Sequence, residues 1–358
     1  MKDDLARRAL ANTLGWNAFD VATRGAELQA LAALKYDEYE GYWPGEGFLE
    51  HLVSWLGQMD DADRRRAIEF VRNELVFISR AELDHLIETV YPDHVRPLLI
   101  QRAADKLGLP SWRVREITTS RAFHEVQRKT LVLGLADGSR IDRLRRTSGF
   151  SHEQFYLAPE LSEAWADRMA TTLREAVGDE TALFEQVLLV DDFAGSGTTS
   201  LRKIGETWKG RFERTNVHLQ QIAGRAVVEA PTVWVLFYVA SAQARTNLHA
   251  ALIERGLPWE LHVVQQLTPE LVVCDDELLD MCRRYFDDAN FDVLGAHVKE
   301  ASGDIRLGFG DGRLPLVITH NTPNNSISLL WADTMGRSGS TNQRALFPRR
   351  HRHNAERP

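Results

Sequence analysis

A chain of 358 residues with 44% apolar side chains is long enough for two domains with proper cores, and its net charge of −8 excludes a molecule that binds nucleic acid electrostatically as a whole. Its two cysteines, Cys274 and Cys282, fit a reducing cytoplasm, and no His or Cys group has zinc-ligand spacing. The longest apolar run, Val233 to Ala240, is too short to cross a membrane, and Met1 to Trp16 reads as a charged amphipathic helix rather than a signal peptide, so a cytoplasmic location without membrane contact is expected.

From Met1 to about Gln127 the pattern is helical, without a convincing strand. Asp60 and Asp61 open a helix bearing Ile68, Phe70, Val71, Leu75 and Ile78, and Ser79 with Glu82 forms a capping box for a helix bearing Leu83, Leu86 and Ile87. Asp93 is expected to cap Val95 to Leu107, which Gly108 and Pro110 end. The segment Leu107 to Ile117 has the spacing of a helix-turn-helix connection, a spacing that ordinary helical packing shares. Trp16, Trp43 and Trp55 with Tyr36, Tyr39 and Tyr42 read as core and loop anchors.

From Lys129 strands and helices alternate. Thr130 to Asp142 is a strand followed by a turn at Asp137 and Gly138, with Arg140, Arg143, Arg145 and Arg146 after it. Ser162 or a neighbour starts a helix bearing Trp165, Met169, Leu173 and Val177. Val187 to Val190 is a buried strand ending on Asp191 and Asp192, and the loop beyond it is expected to open into a helix carrying Leu201, Ile204, Trp208 and Phe212. Such a strand, loop and helix form a phosphate site. Gly195 and Gly197 permit positive φ and close backbone approach, Ser196, Thr198 and Thr199 bring hydroxyl donors, and the helix start supplies N–H groups. The two carboxylates would repel a phosphate but accept hydrogen bonds from a ribose diol, each worth roughly 1.5–3 kcal/mol.

Val233 to Ala244 is a second buried strand turning directly into a helix, and Leu261 to Val264 and Leu271 to Cys274 are weaker strands. Strands separated by crossover helices imply an α/β fold, a mostly parallel sheet with helices on both faces, whose ligands bind at the carboxyl ends of the strands. The turns at Asp137–Arg140, Asp191–Thr199 and Val239–Ala244 would then share one rim. His320 to Trp331 reads as a turn between two strands, or else as a hood in which Asn324 or Asn325 touches a ligand. Asp333 to Asn342 is linker-like, and Arg344 to Pro358 is a basic tail, expected to be flexible, through which weak contact with RNA or DNA stays open. These segments give a helical domain over 1–127, an α/β domain over 128–333 and a tail over 334–358.

VLLVDDFAGSGTT resembles the phosphoribosyl pyrophosphate (PRPP) signature of type I phosphoribosyltransferases, with Ala194 and Gly195 where that family has a branched apolar residue and then a small or acidic one. The resemblance implies that Asp191 and Asp192 hold the ribose hydroxyls, that Ala194, Gly195, Ser196, Gly197, Thr198 and Thr199 hold the 5'-phosphate, and that Asp137, Gly138, Ser139 and Arg140 hold pyrophosphate. It implies Mg2+ held mainly through pyrophosphate and the ribose hydroxyls, with no metal site of protein ligands alone. The loop also resembles that of amino-directed DNA methyltransferases, which use S-adenosylmethionine, but those carry a proline where Asp192 stands and a Pro-Pro motif that this chain lacks. With the helical region ahead of it, LGLADGSRID, FSHEQ, VDDFAGSGTTSLRK, FYVA and NTPNNS with LLW, the chain is similar to the PRTase-CE group of bacterial conflict systems. That similarity implies an effector in anti-phage defence beside a protein partner in the same operon, a sensor or retron-type component. The acceptor stays open, and so does the choice between an enzyme acting at ribose C1' and a module that senses PRPP or a nucleotide.

Overall fold

The computed structural model describes residues 3–160, 163–290, 303–335 and 340–349. The chain divides into two compact units, Met1–Glu82 with Glu270–Pro358, and Leu83–Pro269. This is a different division from breaks at 127 and 333.

In the first unit, helices Asp3–Leu14, Ala26–Leu34, Phe48–Leu56 and Asp61–Asn73 bury Leu10, Leu28, Phe48, Trp55 and Phe70 in one core. Asp60 caps its helix by accepting from the N–H groups of Ala62 and Asp63, as its residue type predicts. The helix stops at Asn73, short of Leu75 and Ile78, because Val76–Ile78 is a strand, β1, paired in parallel with Leu316–Ile318. Three residues are too few to show a period of two, and the partner lies some 240 positions away, so the strand left no local signal. The Ser79–Glu82 box forms: Ser79 Oγ accepts from Glu82 N at 3.1 Å and Glu82 Oε2 from Ser79 N at 2.8 Å.

Leu271–Cys274 is not a strand. It begins in a short 3-10 turn, Pro269–Leu271, and Val273 N donates to Arg313 O at 2.9 Å. The region expected to be a flexible tail is ordered wherever it is described. Thr334 Oγ1, Thr341 Oγ1 and Thr341 N all donate to Asp287 Oδ2, and Phe347 is fully buried among Tyr36, Tyr39, Tyr42, Phe48 and Phe77. Residues 336–339 and 350–358, in the linker-like and basic stretches, lie outside the described residues.

The second unit is the expected α/β layer structure. After β1 come β2 (Thr130–Gly134), β3 (Phe155–Leu157), β4 (Phe184–Ala194), a small hairpin of β5 (Arg202–Ile204) and β6 (Thr207–Lys209), β7 (Val227–Ser241) and β8 (Glu260–Leu267). The main sheet has the order β3-β2-β4-β7-β8, with every neighbour parallel. Val187 and Leu189 of β4 and Val233, Val235 and Phe237 of β7 share a core with helices Glu163–Val177, Arg211–Gln221 and Ala242–Arg255. Ser162, the expected start of the first of these, lies outside the described residues.

Helices preceding the sheet in sequence pack with it. Arg102 of Arg96–Leu107 donates to Thr232 Oγ1, and Thr130 Oγ1 donates to Val126 O of helix Arg121–Arg128 at 2.9 Å. Residues 83–127 therefore belong to the sheet's unit. Asp93 is not a cap here, because Val90–Val95 forms a wider helical turn running straight into Arg96–Leu107, which Gly108 ends at φ +64°.

Candidate functional site

The order of the sheet places the site. The chain leaves β2 for β3 on one side and returns to β4 on the other, so β2 and β4 flank the point where the winding reverses, and in such sheets a crevice opens outside the carboxyl ends of those two strands. The turn Asp137–Ser139 follows β2, the loop from Gly195 follows β4, and Ser241 closes β7. These three segments interlock. A Cβ on Gly138 would lie 3.0 Å from Asp192 Oδ2. Tyr238 Oη donates to Ser139 O at 2.7 Å, Ser241 Oγ donates to Gly195 O, and Asn247 Nδ2 donates to Ser196 O at 3.0 Å. The three turns share one rim, as the alternation of strands and helices implied.

The two acids are differently placed. β4 runs on through both of them, with Asp191 in register with Phe237 and Ala194 with Ala240, so the strand does not end at Val190. Alternation along the strand then sends consecutive side chains to different partners. Asp191 has no exposed surface, and its Oδ2 accepts from Arg211 Nη1, while Oδ1 is buried without a hydrogen-bond partner. Burial first, and the neighbouring Asp192 charge second, push its carboxyl up to about 8, with Arg211 pulling the other way. Asp192 is half-buried and faces the Gly138 turn. Of the two acids, Asp192 keeps accessible surface at the rim, whereas Asp191 is buried beside it.

Asp137 is exposed, Gly138 half-buried and Ser139 fully buried. Arg140 caps the helix Ile141–Thr147 with φ +45° and ψ +38°, a left-handed conformation that costs a non-glycine residue about 1–3 kcal/mol. Of the arginines after it, Arg143 pairs with Glu88, so it does not join the rim as a loose cation.

The loop after β4 departs from expectation. Leu201, Ile204, Trp208 and Phe212 do not lie on one helix; the β5–β6 hairpin intervenes, and the helix begins only at Arg211. Apolar residues spaced by three and four had mimicked a helical stripe, and Gly205 and Gly210, both at positive φ, are the breaks that stop one. The loop therefore does not lead straight into a helix start, and its backbone is bonded within the turn itself. Ser200 N and Leu201 N both donate to Gly197 O at 3.0 Å, Ser196 Oγ and Thr198 Oγ1 lie 2.9 Å apart, and Arg202 Nη1 donates to Thr198 O at 3.0 Å. Of the two loop glycines, Gly197 takes the positive φ, +80°. Thr198 is half-buried and Thr199 exposed, whereas Ala194, Gly195 and Ser196 are buried.

Asn324 and Asn325 belong to the first unit, where Phe309 N donates to Asn324 O at 2.7 Å and Asn325 Nδ2 donates to Phe309 O at 2.8 Å; a short helix, Ser328–Trp331, follows them rather than a strand. Sequence reasoning missed Arg211, Tyr238, Ser241 and Asn247. Tyr238 sits inside the apolar run Val233–Ala240, where nothing separates it from a core aromatic, and Arg211 was hidden by the false helical stripe. The one usable signal was Ser241, a serine at the end of a strand and before a helix, which does cap Ala242–Arg255.

A family model described as PRTase-CE matches residues 52–349. No curated protein and no solved structure matches the chain.

Proposed function

The chain belongs to the PRTase-CE family and carries a phosphoribosyltransferase-like domain, and on that premise we propose that the crevice outside β2 and β4 binds a ribose 5-phosphate ligand, PRPP or a nucleotide. The observation carrying this reading is the meeting of Asp192 with the Asp137–Ser139 turn at the sheet's switch point. Asp192 accepts the ribose hydroxyls, the turn from Ser196 to Thr199 holds the 5'-phosphate, and Arg140 faces the diphosphate with a bidentate guanidinium. Asp191, tied to Arg211, holds Asp192 in place rather than touching the sugar. The chemistry suited to this set is positioning and charge stabilisation at C1'.

Among the described residues no three His, Cys, Asp or Glu side chains are grouped to hold a metal. The half-buried carboxylate of Asp192 and the exposed one of Asp137 fit an Mg2+ that takes most of its oxygens from the ligand, and such an ion would neutralise charge on a leaving diphosphate. The same reading gives the protein an effector role in bacterial anti-phage defence with a sensing partner, supported by the resemblance of its motifs to those of conflict systems.

Calorimetric titration with PRPP, with and without Mg2+, tests the site. Mg2+-dependent binding is expected, together with a loss of tenfold or more in Asp192→Asn, the order of one or two charge-assisted hydrogen bonds. Equal affinity in that variant would refute the role given to Asp192, and heat with S-adenosylmethionine instead of PRPP would transfer the loop to methyl-transfer chemistry. Consumption of bound PRPP separates an enzyme from a sensor.

A further inference from the structure

Tyr238 is fully buried, yet its hydroxyl is spent on one carbonyl outside its own sheet neighbours. It lies on β7, whose partners are β4 and β8, and it bonds Ser139 O in the turn after β2, which is not adjacent to β7. The bond therefore reaches across β4, the strand that carries Asp192, from β7 to the turn after β2. Its acceptor belongs to the peptide joining Ser139 to Arg140. In a planar trans peptide the C=O and N–H point in opposite directions, so a carbonyl held toward Tyr238 directs the Arg140 N–H away from the Tyr238 hydroxyl. The residue so oriented is the one held at φ +45°.

We propose that Tyr238 is a positioning residue that locks the Ser139–Arg140 peptide in the orientation that receives a diphosphate, and so selects ligands carrying one over simple ribose phosphates. The proposal rests on the ribose 5-phosphate reading of the crevice. The hydroxyl stays a donor throughout the physiological range, because burial above all, and then the charges of Asp192 and Asp191, hold it well above its ordinary value of 10; Asp142 acts in the same direction and Arg140 opposes it.

The test is Tyr238→Phe, which keeps the ring and removes the donor, titrated with inorganic pyrophosphate, PRPP and ribose 5-phosphate in Mg2+ alongside wild type. Losing one neutral hydrogen bond predicts about three- to tenfold weaker binding of pyrophosphate and PRPP with ribose 5-phosphate unchanged. A merely structural role would weaken all three together, and that result, or equal binding of all three by the variant, overturns the proposal while leaving the reading of the site intact. A wild-type protein that binds none of them overturns both. Should the variant fail to fold, hydrogen exchange on the wild type decides: pyrophosphate in Mg2+ should slow exchange of the Arg140 amide, and an exchange rate that pyrophosphate leaves unchanged refutes the role given to the Ser139–Arg140 peptide.

Discussion

Asp191 shows how burial changes the job of an acid. A carboxylate without exposed surface, one oxygen on Arg211 and the other without a hydrogen-bond partner, favours its protonated form, and its carboxyl is accordingly pushed up to about 8. The consequence for stability has a definite sign. A group whose folded value lies above its unfolded one binds more protons when folded between the two, so its contribution is complete below about pH 4 and is lost as pH rises toward about 8. Asp191→Asn removes that dependence. Melting temperatures measured from pH 5 to 8 should fall more steeply for wild type than for the variant, with a limiting slope of about 1.4 kcal/mol per pH unit. Parallel profiles would mean that Arg211 keeps Asp191 ionised throughout.

At the scale of elements, the loop after β4 takes its shape from the helix beneath it. Gly197 sits at φ +80°, and a Cβ there would lie 2.8 Å from Leu248 Cγ and 3.2 Å from Ala244 O, both on the helix Ala242–Arg255. The same helix start holds Gly195 through Ser241 and Ser196 through Asn247. Gly197→Ala combines an unfavourable φ with a clash against a packed side chain, and should cost about 1–3 kcal/mol in chemical denaturation. If the turn is what holds the 5'-phosphate, the same variant should also weaken ribose 5-phosphate binding. Unchanged stability would mean that the loop moves without penalty.

At the scale of the whole molecule, the first unit is assembled from both ends of the chain. Residues 1–82 share a core with segments beyond 270, and Phe347 is where they meet, ringed by five aromatic side chains with centroids 5.2–5.8 Å from its own. Trp55 Nε1 donating to Leu329 O at 2.9 Å and Tyr42 Oη donating to Leu346 O at 3.1 Å add directional ties across the same span. Phe347→Ala should destabilise this unit by about 3–5 kcal/mol, read from its denaturation midpoint. A loss below about 1 kcal/mol would show that the C-terminal segment is dispensable to the core.

What the sequence determined by itself is whatever depends on neighbours along the chain. The apolar runs of β2, β4 and β7, the crossover helices between them, the acids with a small-residue loop and the Ser79–Glu82 box are all readable because period, capping and turn chemistry are local. They sufficed for a parallel sheet flanked by helices and for the family resemblance. The tertiary structure decided everything that depends on distant partners. It buried Asp191 against Arg211 while leaving Asp192 at the rim, and it turned Tyr238 from a core aromatic into the tie under the Ser139 turn. It paired β1 with a strand some 240 residues on and drew Phe347, from a stretch that reads as a tail, into an aromatic core. Burial, pairing register and the direction of a hydrogen bond are properties of the folded arrangement, and no stretch of sequence carries them alone.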